Sequence, residues 1–333
     1  MTSFKFRFLR RVKVWHLLYI LTVLIVYYIL TSSKENEKPK RKAPELQAPK
    51  VKALLSTGLA KLRGKTFRDV GEILDHLAME DVNCVPFKAA SRKVKICIYD
   101  LARDEVVSKS LKMYETWESD QLHDLETILN RDKELGLLDL GANLGVFTLT
   151  AAAMGRKVLA VDACHSTVSR LKKSIYTNRF LDKVTLVEAA LTTVRGYSFI
   201  FVPAKNAAGA YPHHIPREFI TVKDVKNHRV VKNVFLDDLL KFIDVNKAVI
   251  RIDIGGKEPM VLAGSHLFEI IHIECIFMSF TYNENLRKPI QIALEELEIK
   301  GFVPKRSRMD LHPLEIGDFE KWPSKILWVR RQG

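Results

Sequence analysis

Leu137-Leu138-Asp139-Leu140-Gly141-Ala142-Asn143-Leu144-Gly145 is the stretch whose reading decides the fold. Residues 137–140 are apolar apart from Asp139 and predict a buried strand. Gly141 to Gly145 predict a tight turn, and the apolar residues 146–154 predict a helix. In an open α/β sheet, a strand that runs through such a turn into a helix is where a ligand sits, at the carboxyl ends of the strands. Glycine there permits positive φ and lets a ligand approach the backbone. A dinucleotide fingerprint needs three glycines at fixed places, and this loop has Gly141, Asn143 and Val146 there, which argues for a ligand without phosphates. Asp162 ends the next predicted strand, 158–161, and stands 21 residues after Gly141, the separation at which a carboxylate can accept hydrogen bonds from ribose hydroxyls.

Working outward, apolar runs alternate with amphipathic stretches: a helix over 166–178, a strand over 184–187, buried strands over 248–254 and 270–280, a helix over 289–299 and a last strand over 325–329. That alternation predicts an α/β fold, a doubly wound, mostly parallel sheet covered on both faces, over residues 136–333. Residues 66–135 read as an N-terminal extension or cap, helical over 67–79 and 120–129 and extended over 94–99. No internal repeat is visible.

The net charge of +14 is unevenly placed, because residues 1–65 hold 15 Lys/Arg against 3 Asp/Glu and the remainder is almost neutral. A near-neutral domain has no general attraction for a polyanion, so no nucleic-acid partner is expected. Residues 1–13 form a basic tail. Residues 14–30 are 17 in a row without a formal charge, about 26 Å as a helix, which predicts a transmembrane anchor. The bias of Lys5, Arg7, Arg10, Arg11 and Lys13 to its N-terminal side predicts a single-pass type II protein with a lumenal domain, in the Golgi or endoplasmic reticulum. A cleaved signal peptide is the competing reading, with Thr31-Ser32-Ser33 as its small residues. Residues 31–65, rich in Lys, Pro and Glu, read as a solvated stem. The four cysteines have no metal-ligand spacing. In a lumenal domain Cys84 and Cys97 could pair, but the apolar run 94–99 favours a buried free thiol at Cys97.

The run DLGANLGVFTL (139–149) resembles motif I of class I S-adenosylmethionine-dependent methyltransferases, a Rossmann-like family. The later run VIRIDIGGKEPMVLAGS (249–265) is similar to the second signature of their FkbM-type branch, and the resemblance spans roughly residues 136–280. It implies S-adenosylmethionine as cofactor, with Asp139, Gly141, Asn143 and Gly145 along its methionine part, Asp162 on the ribose, and Glu188 or Ala189 near the adenine. Three departures stand out: the family's lysine is Arg251 here, its second acidic residue is Gly255, and Asp162 is followed by Ala163 rather than proline.

For transfer to a hydroxyl, a base must accept the proton. Asp253, at the end of the 248–254 strand, is the first choice for that base and Glu258 the second. The competing roles are a carboxylate tied to loop amides for Asp253 and a helix start before Pro259 for Glu258. Glu274 interrupts an apolar run, so it is expected to face the cleft or meet an arginine. His213 and His214 fall in a predicted loop over 203–216 that could cover the substrate; no third ligand accompanies them, and no metal is expected. No two aspartates are separated by one residue, which counts against a metal-dependent glycosyltransferase. The expected activity is O-methylation of an unspecified hydroxyl substrate; the alternative is a catalytically inactive binding module on the same fold.

Overall fold

The computed structural model describes residues 82–90 and 92–331, and the described residues belong to a single unit, Gly71–Gly333. The basic tail, the 14–30 anchor, the 31–65 stem and the 67–79 helix lie outside the described residues. Among the described residues no helix is long and apolar enough to cross a membrane.

An antiparallel hairpin comes first, β1 (Cys84–Ala89) and β2 (Arg92–Cys97). Cys84 and Cys97 face each other in its register and are joined by a disulfide. This corrects the expectation of a buried free thiol: Cys97 is indeed buried, but the hairpin brings its partner to it. Helices α1 (Val107–Tyr114) and α2 (Ser119–Arg131) follow. The hairpin and both helices bury Phe87, Ile96, Leu111 and Leu125 in one cluster with Leu137 and Leu149, so they share the core of the sheet.

The central sheet is built from β3 (Gly136–Leu140), α3 (Val146–Ala153), β4 (Val158–Asp162), α4 (His165–Thr177) and β5 (Val184–Glu188). After β5 the chain leaves the sheet for β6 (Ala190–Leu191), β7 (Tyr197–Phe201), β8 (Tyr211–Ile215), the short helix α5 (Val222–Lys226) and β9 (Val230–Val234). It returns through β10 (Lys247–Ile252), α6 (Glu258–Ala263), α7 (Leu267–Ile270), β11 (His272–Ser279), α8 (Arg287–Ile299), β12 (Phe302–Lys305) and β13 (Lys325–Arg330). The order across the sheet is β12-β13-β11-β10-β3-β4-β5, parallel throughout except that β13 runs against both its neighbours. This is a doubly wound, mostly parallel Rossmann-like sheet. Successive residues of β3 point to opposite faces: Leu137 joins one core cluster with α2, α3 and α4, and Leu138 joins the other with α6 and α8.

The sequence reading did not contain the second, four-stranded sheet, in the order β6-β9-β7-β8. His213 and His214 lie on its strand β8 rather than in a loop, because β7 pairs with the whole of 211–215. Glu274 is corrected too. It is exposed near the amino end of β11, at the far end of the sheet from the cleft, and its partner is His272, 3.4 Å away. The pairing with β10 shifts register here, between Ala248 and Ile250, so that Ile273 and Cys275 are buried in different core clusters while Glu274 is left in water.

Candidate functional site

The chain winds from β3 outward to β5 and then crosses back to place β10 on the other side of β3, so the switch point lies between β3 and β10. A crevice opens at the carboxyl ends of the strands at such a point. Here it is a cavity of about 370 Å³ whose wall includes Gly141, Asn143, Asp162, Ala189 and Asp253. Five of the nine residues proposed from sequence therefore meet around one space. Asp139, Gly145, Glu188 and Glu258 are not part of its wall.

The turn after β3 is fixed by both glycines, for different reasons. Gly141 has φ +89°, and a Cβ there would come within 1.9 Å of the Asp253 carbonyl oxygen, so the β3 and β10 ends can approach only without a side chain. Gly145 has φ +95°, and its Cβ would strike Leu171 at 2.2 Å, which makes it a packing position between α3 and α4. Asn143 adopts φ +52°; its side chain accepts from the Leu144 N–H and donates to the Ala208 carbonyl at 2.9 Å. That bond ties the turn to residues 208–212 of the insertion, which form the opposite wall.

Asp162 accepts from the Asn143 N–H at 2.8 Å through one oxygen and from the Cys164 N–H at 2.9 Å through the other. Each oxygen has a second lone pair for a ligand hydroxyl. Burial pushes its carboxyl up to about 6, with the two amides pulling the other way. Ala189 supplies an apolar wall beside it. Glu188 instead turns outward, its carboxylate 2.9 Å from His165 Nδ1.

The β10 side is organised by Arg251, which is 7% exposed. Its guanidinium donates to the Gly141 carbonyl at 2.5 Å and to Asp253 at 3.0 Å, and lies 3.6 Å from Glu118 and 3.8 Å from Asp139. It also stands over the Phe147 ring. Burial works against the Arg251 charge, but Asp253, Asp139 and Glu118 outweigh it and hold its pKa above the usual value. Asp139 is fully buried under this cluster; one oxygen accepts from the Thr148 hydroxyl at 2.6 Å and the other has no hydrogen-bond donor among the described residues. Burial pushes its carboxyl up, opposed first by Arg251. Glu118 comes from the turn between α1 and α2 and has Lys325 as its second partner, at 2.9 Å. Neither Arg251 nor Glu118 was among the proposed site residues.

Glu258 opens α6 with its carboxylate turned back to accept the Ile254 and Gly256 N–H groups at 2.8 and 3.0 Å. It is 1% exposed. Its role is to tether the loop after β10, in which Gly255 and Gly256 have φ +86° and +96°. An acidic side chain at Gly255 would be strained in that backbone. Among the described residues, the wall of the cavity contains two carboxylates, Asp162 and Asp253, and no Lys, Arg or His.

No family model matches the sequence, and no curated protein matches it. Solved structures are similar in outline. A precorrin-6y C5,15-methyltransferase from Geobacter metallireducens aligns at 12% identity over 62% of this chain and 83% of its own, with a TM-score of 0.33. A SAM-dependent methyltransferase from Agrobacterium tumefaciens aligns at 11% identity over 74% and 70%, TM-score 0.37. A member of the NADB-Rossmann superfamily from Streptococcus agalactiae aligns at 13% identity over 63% and 68%, TM-score 0.32. Likeness at this level transfers no activity, and the chemistry has to come from the residues themselves.

Proposed function

We propose that this chain is an S-adenosylmethionine-dependent methyltransferase of the FkbM type, acting on a hydroxyl group. The observation that carries the reading is the charge of the cleft: among the described residues its wall has two carboxylates and no basic side chain, at the switch point of the sheet. Such a wall attracts a cation and repels a pyrophosphate, which favours a nucleoside sulfonium over a dinucleotide. The residues present fit the cofactor: Asp162 offers acceptors for ribose hydroxyls, Ala189 and Leu191 an apolar wall for a base, and Asn143 a link to the covering segment. When bound, S-adenosylmethionine supplies an electrophilic methyl group on a cationic sulfur.

Asp253 faces the same space from the end of β10 and would receive the proton of the acceptor hydroxyl. Arg251 holds that carboxylate in place from behind. Residues 208–212 close the opposite side and limit the access of water. The same ion pair is what favours the second reading, a binding module without activity. Asp253 is already engaged by Arg251, and Gly255 offers no replacement base.

The proposal includes a type II topology with the described domain in the lumen, anchored through residues 14–30, and an acceptor other than nucleic acid. The Cys84–Cys97 disulfide supports an oxidising compartment. Calorimetry of the full-length chain with S-adenosylmethionine and, separately, NAD tests the cofactor. Micromolar binding of the first, lost in Asp162→Ala, is expected; binding of NAD alone would sink the proposal. Transfer of labelled methyl to membrane-fraction acceptors by the wild type and not by Asp253→Asn separates the enzyme from the binding module. Reporter tags at each end test the topology.

A further inference from the structure

Beside the nucleoside half of the cleft, three donor side chains that the proposed reaction does not use come together. His165 opens α4, Glu188 ends β5, and His228 follows Asn227, the C-cap of α5. His165 Nδ1 lies 2.9 Å from Glu188 Oε2. The His165 and His228 rings are stacked with centroids 3.8 Å apart and planes within 8°. One ligand atom from each of the three residues falls within 4.8 Å of the other two. None of the three is buried, and they come from separate stretches of the chain, one at a helix start, one at a strand end of the main sheet and one from the insertion. The backbone of His228 is held at φ +52° by the end of α5, where its N–H donates to the Val225 carbonyl, so the ring is aimed back over α4.

We propose that His165, Glu188 and His228 form a site for one divalent transition-metal ion of the zinc class, with water completing the coordination. Two imidazoles and one carboxylate are the donor set that suits zinc and its neighbours, whereas calcium and magnesium prefer oxygen alone. Parallel rings cannot both point their lone pairs at one ion, so capture of the metal turns the imidazoles out of their stack and replaces the His165–Glu188 hydrogen bond. Side chains in contact with water make that movement without displacing the backbone. The ion then clasps the insertion to the ends of β4 and β5, one residue from Ala189 in the cleft wall. The site is independent of methyl transfer and stands whether or not the cleft binds S-adenosylmethionine.

The test uses the untagged full-length chain, stripped with a chelator, and titrated with Zn²⁺ against a chromophoric competitor and with Co²⁺ by absorption. One equivalent of Zn²⁺ bound at micromolar concentration or tighter is expected, unaffected by millimolar Mg²⁺. His165→Ala, His228→Ala and Glu188→Gln should each weaken it at least tenfold, while Cys164→Ser leaves it unchanged. The Co²⁺ form should show d–d bands without thiolate charge transfer. Binding that survives in the His165→Ala/His228→Ala double variant, or a thiolate band that disappears in Cys164→Ser, would overturn the assignment. So would the absence of binding at micromolar Zn²⁺. Thermal melts of the metal-free variants, expected to match the metal-free wild type, confirm that lost binding is not lost folding.

Discussion

The two halves of the cleft hold their carboxylates in opposite ways. On the β3–β4–β5 side, Asp162 is positioned by backbone amides of Asn143 and Cys164, and its partners carry no charge. On the β10 side, Asp253 is positioned by a buried arginine that also faces Asp139 and Glu118. Amide-held geometry survives loss of the side chain it serves, since the turn is set by Gly141 and Asn143. Ion-held geometry does not, because removing one member leaves charges buried without partners. Ligand binding and structural integrity are therefore separable on the first side and entangled on the second.

The sharpest way to break that contrast is Arg251→Met. Among the described residues, it leaves Asp139, which is fully buried and has one oxygen without a donor, facing no cation. Disrupting a buried pair in this way costs about 3–5 kcal/mol, and the melting temperature should fall by roughly 10 °C. A variant that melts within a degree or two of the wild type would show that the arginine is not the centre of that side. Asp253→Asn keeps the size and the contact with Arg251 but removes the base. Methyl transfer should drop at least about 100-fold, a much larger change than that in S-adenosylmethionine affinity; an unaltered rate would move the base elsewhere.

On the amide-held side the effect is smaller and shows in binding. Asp162→Asn should weaken S-adenosylmethionine by about tenfold, the loss of a charge-assisted acceptor, with little change in melting. The carboxyl of Asp162 titrates at about 6 in the fold, above the unfolded value of about 3.9. Between those values the native state keeps a proton that the unfolded chain has lost, so this group's contribution to stability declines as pH rises through the window and is constant above it. Affinity runs the other way: the acceptor form disappears below pH 6, and the dissociation constant should rise as pH falls there and level off about tenfold higher, where the protonated carboxyl matches the asparagine. Calorimetry at several pH values should show that slope in the wild type and not in Asp162→Asn.

The same contrast explains what the sequence disclosed. The β3–β4–β5 side was legible because parallel strands buried on both faces are continuous apolar runs, and because the ligand groups sit at fixed separations along the chain. Arg251 was visible only as a substitute for lysine; that it gathers Glu118 from a turn far upstream could not be read from local spacing. Gly145 and Glu188 matched a motif, yet one packs on Leu171 and the other faces His165. The insertion escaped because its strands do not advertise themselves. β8 is Tyr211-Pro212-His213-His214-Ile215, with a proline and two histidines, and of the two buried positions in β9, Val231 and Asn233, the second is polar and bonded to the Ser198 hydroxyl at 2.7 Å. A strand whose inward side chain is polar has no period-two apolar signal.

The mildest expected effect is at Glu258, where the two sides of the comparison meet. It lies on the ion-held side but is used in the amide-held manner, accepting the Ile254 and Gly256 N–H groups through one oxygen while the other has no partner among the described residues. Glutamine can present the same acceptor oxygen to both amides and carries no charge to bury. Burial raises the Glu258 carboxyl above its ordinary value, with Asp253 adding to the shift and the loop amides opposing it. The native state therefore retains a proton there as pH rises past the unfolded value, and ionising the group at higher pH costs stability. Glu258→Gln should be within about 1 kcal/mol of wild type, and its stability relative to wild type should improve as pH rises above the unfolded carboxylate value of about 4.3. Methyl transfer should be unchanged. A 100-fold loss of rate in Glu258→Gln with intact S-adenosylmethionine binding would instead identify this carboxylate as the proton acceptor, and Asp253 would then be only the counter-ion of Arg251.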